Sequence, residues 1–155
     1  MTGRNISTAC CLFLSISILA CFGCKKGDPI MKETTDSVYK VGQVWNYNSR
    51  PREEKSTLTI VKVESHEKLG VIVHVCLQGL KIKNPQTPSG ISNTIPHAPF
   101  SEKAIQESVT KLNRITQDLP DFKEGYNSWR DAQGGIWTIS VSDAIATVEK
   151  CLNKN

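Results

Sequence analysis

His74 and Cys76, two residues apart in the run Val71-Ile-Val-His-Val-Cys-Leu77, are the first side chains in the sequence with chemistry to offer. Strand alternation puts both on one face, where they can supply two metal ligands. A structural zinc site takes four, and no second His/Cys pair follows at a recognisable spacing. The sequence therefore implies no metal and no cofactor, and a strand histidine beside a core reads first as a hydrogen-bonded packing residue. The other two histidines are His66, in a turn, and His97, between Pro96 and Pro99 in an irregular stretch. There is no Gly-rich phosphate loop, no Gly-x-Ser-x-Gly elbow and no His-Glu-x-x-His. Catalytic residues are not assigned. The enzyme reading that stays open is a small hydrolase or metal-dependent enzyme using His97, or His74 with Cys76.

Six cysteines are present. Cys10 and Cys11 lie in an uncharged run from Ala9 to Ala20 that follows a single cation, Arg4. A dozen apolar residues are short for a membrane span of about 20 but suit the h-region of a signal peptide. The run ends Ile18-Leu19-Ala20-Cys21, which resembles the lipobox of bacterial lipoproteins. That resemblance implies that the Cys21 thiol receives a diacylglycerol and that the leader, 1–20, is cut just before it. Cys24, preceded by Gly23, is the alternative lipidation site, although Cys21 and Phe22 fit the preceding positions poorly. It further implies a bacterial envelope location, with the domain on the extracytoplasmic side of a bilayer held through an N-terminal acyl anchor.

Residues 21–37 are polar, with Gly27, Pro29 and several threonines, and read as the lipidated tether. The remaining 38–155 has room for one domain with one core. The apolar fraction of 39% and charged fraction of 22% are ordinary for a globular chain. A net charge of +4, spread over lysines with acidic neighbours, forms no basic stripe with interleaved aromatics. Nucleic acid is thus not an expected partner.

The elements that must position the histidines are organised around Ser56 to Leu80. Two β-branched runs separated by a polar segment with a glycine predict a β-hairpin. Leu58 and Ile60 alternate with threonines, after which Val61 and Val63 take the apolar places, a change of phase that predicts either a bulge near Ile60–Val61 or a strand covered on both faces. Val41 to Tyr47 is a first strand, with Trp45 and Tyr47 expected in the core. Its Gly42-Gln-Val-Trp-Asn-Tyr47 opening, followed by Arg50 and Ser56-Thr-Leu-Thr-Ile60, is similar to small uncharacterised bacterial proteins and implies no substrate.

Lys81 to Phe100 holds four prolines and reads as a packed loop anchored by Ile91, Ile95 and Phe100. With His97, these residues form the candidate recognition loop, with a purely structural crossover as the alternative. Ser101 caps a first helix, in which Ile105, Val109, Leu112, Ile115 and Leu119 mark one face as far as Pro120. Asp121 and Glu124 are spaced as a capping box for a second helix carrying Phe122, Tyr126 and Trp129 on one side. Ile136 to Ile139 makes a last strand, and Ser140 with Asp143 caps a terminal helix. Cys76 and Cys151 are candidates for a disulfide in an oxidising compartment, with two buried free thiols as the alternative.

The expectation is an α+β domain: a small antiparallel sheet of about four strands with three helices against one face, ordered β-β-β, long loop, α, α, β, α. Its expected role is a binding or structural module of unassigned ligand, with an envelope protein as one candidate partner.

Overall fold

The computed structural model describes residues 31–154; the expected leader, 1–20, and the candidate lipidation sites Cys21 and Cys24 lie outside them. The fold is α+β, with a six-stranded antiparallel sheet and three helices. The strands are β1 (Met31–Glu33), β2 (Gln43–Tyr47), β3 (Thr57–His66), β4 (Gly70–Lys83), β5 (Ile91–Ser101) and β6 (Val109–Ile115). The helices are α1 (Glu102–Ser108), α2 (Lys123–Asp131) and α3 (Val141–Leu152). The order across the sheet is β5-β4-β3-β2-β6, and β1 pairs with β3 beyond the end of β2.

The expected hairpin is the centre of this sheet. β3 and β4 pair from Thr57↔Gln78 to His66↔Gly70, and the register slips between Ile60 and Lys62, leaving Val61 as the extra residue of a bulge. Leu58, Ile60 and Val63 therefore stay on one face, where they meet Val73, Val75 and Leu77 of β4. α1 and α3 close that face with Ala104, Ile105, Val141, Ala144 and Ile145, and Phe100 of β5 completes the core. Burying such side chains contributes about 1.5–3 kcal/mol each. Two caps hold the helices as expected: Ser101 Oγ accepts from the Ala104 N–H at 3.2 Å, and Ser140 Oγ from that of Asp143 at 3.1 Å. The expected Asp121–Glu124 box is not formed. Phe122 occupies the N-cap of α2 without a side-chain bond, and Asp121 instead accepts from the Lys123 N–H at 3.2 Å.

The sheet is larger than expected because three stretches read otherwise are strands. Met31–Glu33, expected in the tether, pairs with Glu64–His66. The long loop is a second hairpin: β4 continues to Lys83, a turn over 84–90 follows, and β5 returns along β4. Prolines are tolerated there because β5 is an edge strand. The Ser101 N–H and the Pro99 carbonyl both point away from β4, bonding the carbonyl and N–H of Trp137 at 2.9 Å each. The missing N–H of Pro99 thus costs no ladder bond. Pro96 sits with His97 where two β5 residues oppose Cys76 alone, a second bulge. The first helix stops at Ser108, and Val109–Ile115 pairs with β2 instead of continuing it. Its β-branched residues suit a strand, and the unpaired side of β2 supplies the partner. The expected last strand is reduced to a parallel bridge between Trp137 and Phe100. The helices also take both faces of the sheet, with α2 on the face opposite α1 and α3.

Past Thr57, β3 gives way to the loop holding Glu53 while β4 runs on. Gly79, at φ +75°, kinks β4 there so closely over Ser56 that a Cβ would lie 3.2 Å from its Cα. Two carboxylates take the β4 amides that β3 no longer serves. Glu53 Oε1 accepts from the Lys81 N–H at 2.6 Å, and Glu149 Oε1 from that of Lys83 at 2.7 Å. Arg50 bridges the two, with both contacts at 2.6 Å, so the buried Glu53 is paired as well as bonded.

Replacing Phe100 by Ala should cost about 3–5 kcal/mol in urea denaturation, as for a large core side chain. Ile91→Ala, in the same segment but 42% exposed, should stay within about 0.5 kcal/mol of wild type. Equal small effects would return 91–100 to a surface loop.

Candidate functional site

The Val61 bulge turns Lys62 and Glu64 to the face opposite the main core, beside His74 of β4. His74 is fully buried and Glu64 is 4% exposed. His74 Nε2 lies 3.1 Å from Glu64 Oε2, though off the line a hydrogen bond needs. Its Nδ1 lies 2.9 Å from Nε2 of His97, which the β5 bulge swings over it, and the two rings stack at 5.1 Å with 20° between their planes. Glu64, His74 and His97 thus form a line of carboxylate, imidazole and imidazole leading from the interior to a half-buried ring.

α2 covers this line. Tyr126 donates its hydroxyl to both oxygens of Glu64, at 2.9 and 3.0 Å. Tyr126 and Trp129 present their rings edge-on to His74 at 5.3 and 5.0 Å. Gly125 packs so closely that a Cβ there would come within 2.8 Å of His97 Cβ. Trp129 Nε1 bonds the Gly135 carbonyl at 2.8 Å, fixing the turn after the helix. Lys62 Nζ reaches Glu33 of β1 at 2.7 Å and Glu64 at 3.3 Å, and lies 5.5 Å from the Tyr126 ring centre.

This environment sets the proton affinities. Burial pushes His97 down to about 4, reinforced by the charge of His74 and opposed by Glu64. At neutral pH its ring is therefore uncharged and offers a lone pair. For Glu64 burial acts upward, but the close approach of His74, the Tyr126 hydroxyl and the charge of Lys62 outweigh it, holding the carboxyl below its usual range. Burial also raises Tyr126, with Glu64 adding to the effect. Burial pushes the Cys76 thiol up to about 11, which leaves it protonated and a poor nucleophile or ligand.

The structure thus joins His74 and His97, which the sequence places in separate elements, and does not join the remaining candidates to them. Among the described residues no three His, Cys, Asp or Glu side chains form a metal-binding group. His66 accepts from the Lys68 and Leu69 N–H groups at 3.0 Å in its turn. Cys76 and Cys151 are free thiols rather than a bridge, since Cys76 is buried in the sheet and Cys151 is exposed on α3. Of the recognition loop, Ile91 is exposed, Ile95 packs partly against the core and Phe100 is fully buried within it. Glu64 and Tyr126 are partners that sequence reasoning does not reveal. The one signal for Glu64 is its place between Val63 and Ser65 in a strand, in phase with Lys62 once the bulge is counted.

A cleft of about 470 Å³ adjoins the site, running between Glu33, Thr34, Val41, Val61, Lys62 and Phe122. A groove of about 450 Å³ lies over Arg52, Lys81, Lys83 and Ile91 beside the Arg50 network. No family model, curated protein or solved structure matches this chain.

Tyr126→Phe should cost about 1.5 kcal/mol, as for a bond to a charged group. The lowered Glu64 contributes stability above the ordinary carboxylate value of 4.5 that is lost as pH falls through its folded value. In Tyr126→Phe that contribution should shrink and Glu64 should titrate closer to 4.5, as read by NMR. An unmoved Glu64 titration would mean the hydroxyl does not act on it.

Proposed function

We propose that this chain is a lipid-anchored bacterial envelope protein whose α+β domain serves as a binding or structural module for another envelope component. The observation that carries the reading is Ile18-Leu19-Ala20-Cys21 at the end of an uncharged run, with charge returning at Lys25. β1 begins at Met31, ten residues after Cys21. Ten residues reach at most about 35 Å, so the spacer holds the domain near the bilayer surface rather than far above it.

The face left for a partner is narrower than a twenty-residue loop. Phe100 and Ile95 serve the fold, leaving Ile91 and the turn over 84–90 as the outward part of that segment. The hydrolase reading draws on the Glu64–His74–His97 line, whose components are those of a general base. Its inner imidazole is sealed from solvent, however, and neither concavity reaches His97. The module reading therefore fits the geometry better.

Metabolic labelling with a fatty-acid analogue tests the anchor. Wild type should be labelled and fractionate with membranes, while Cys21→Ser should lose both properties. Label retained in Cys21→Ser but lost in Cys24→Ser would move the site. Label indifferent to both changes would sink the lipoprotein reading.

A further inference from the structure

α2 is nine residues long, has no side-chain cap and buries none of its residues completely. A helix this short does not persist by itself in water, so its place depends on what it touches. Those contacts converge on the two imidazoles: Gly125 against His97, and the rings of Tyr126 and Trp129 against both histidines. The Tyr126 hydroxyl on Glu64 adds one more tie. Any change that parts the imidazoles displaces the helix.

Proton counting shows what parts them. In the neutral pair one ring donates its N–H across the 2.9 Å gap and the other accepts. One added proton keeps that arrangement, because a single imidazolium still faces a lone pair. A second proton leaves two N–H groups opposed, with no acceptor and with like charges stacked. We propose that the His74–His97 pair is an acid-sensitive latch, which seats α2 on the sheet and releases it on uptake of the second proton.

The surrounding charges allow one imidazolium but not two. From β3 come Glu64 and Lys62, and from β1 Glu33, which is engaged by Lys62. α2 supplies Tyr126 on Glu64, with the Arg130 guanidinium 5.8 Å from the Tyr126 ring centre; β4 and β5 supply the histidines themselves. Among the described residues Glu64 is thus the one carboxylate against the pair, and it already serves Tyr126 and Lys62. The sign follows from linkage. His97 binds its proton at about 4 in the closed seat, against an ordinary 6.5. The closed form is favoured above 6.5 and loses ground as pH falls from there towards 4. The latch is independent of the lipid anchor.

The experiment is hydrogen exchange of the full chain in detergent at pH 7.5 and 4.5, corrected for intrinsic rates. Amides of 123–131 should lose about a hundredfold of their protection at the lower pH, the size set by the two pH units of linkage between 6.5 and 4.5, while those of β4 keep theirs. In His97→Gln, whose amide can bond but cannot charge, the α2 response should disappear. Unchanged α2 protection in wild type, loss shared equally by β4, or the same response in His97→Gln would each overturn the latch. If His97→Gln does not fold, an NMR titration of wild type decides. A His97 value near 4, with Trp129 losing order alongside, supports it, and a value near 6.5 refutes it.

Discussion

The extra residue at Val61 is the constraint on which the rest of this structure depends. Without it, strand alternation would carry Leu58, Ile60, Lys62 and Glu64 onto one face, and two charges would enter the main core. Burying them there unpaired would cost several kcal/mol. The bulge changes the phase by one residue, so that Val63 stays with Leu58 and Ile60. Lys62 and Glu64 pass to the other side, where His74 and Tyr126 meet the carboxylate. One backbone irregularity thereby creates both an apolar face for α1 and α3 and a polar one for α2.

Much of this is legible in the sequence, and the reasons are local. The phase change through Thr59-Ile-Val-Lys-Val63 narrows the choice to a bulge or a strand covered on both faces, which the register decides, and the hairpin follows from β-branched runs around a glycine. Caps at Ser101 and Ser140 are legible because their bonds close within three residues. What cannot be read depends on distant partners. Val109 to Ile115 carries a helical apolar spacing, yet the open side of β2 turns it into a strand, and Leu112 and Ile115 end up exposed. In 91–101, prolines look like loop chemistry because the sequence does not say which side of a strand faces outward. The candidate site follows the same rule. His74 and His97 both stand out, but their meeting depends on a bulge in β5, and Glu64 passes for a solvated charge because its partners lie on other elements.

The far end of β4 shows a second solution to the same problem. A strand that outruns its neighbour leaves amides without carbonyl partners, and such groups are costly when withdrawn from water. Glu53, from the loop before β3, and Glu149, from α3, act as surrogate acceptors, and Arg50 joins them through a bidentate contact to Glu53. The carboxylates therefore tie the terminal helix to the sheet at the point where backbone pairing stops. Charge here replaces a strand.

The prolines of β5 carry a consequence for how many copies of this domain can share a surface. A sheet edge with free N–H and C=O groups is a template on which other chains polymerise. Along β5 the outward carbonyl of Pro99 and the outward amide of Ser101 are already spent on Trp137, and Pro99 has no amide to offer. At the opposite margin Lys111 and Arg114 of β6 set cations beside the open backbone, repelling an identical neighbour. Crowding, which drives edge-to-edge aggregation in unprotected sheets, finds the Pro99–Ser101 end of this edge already occupied.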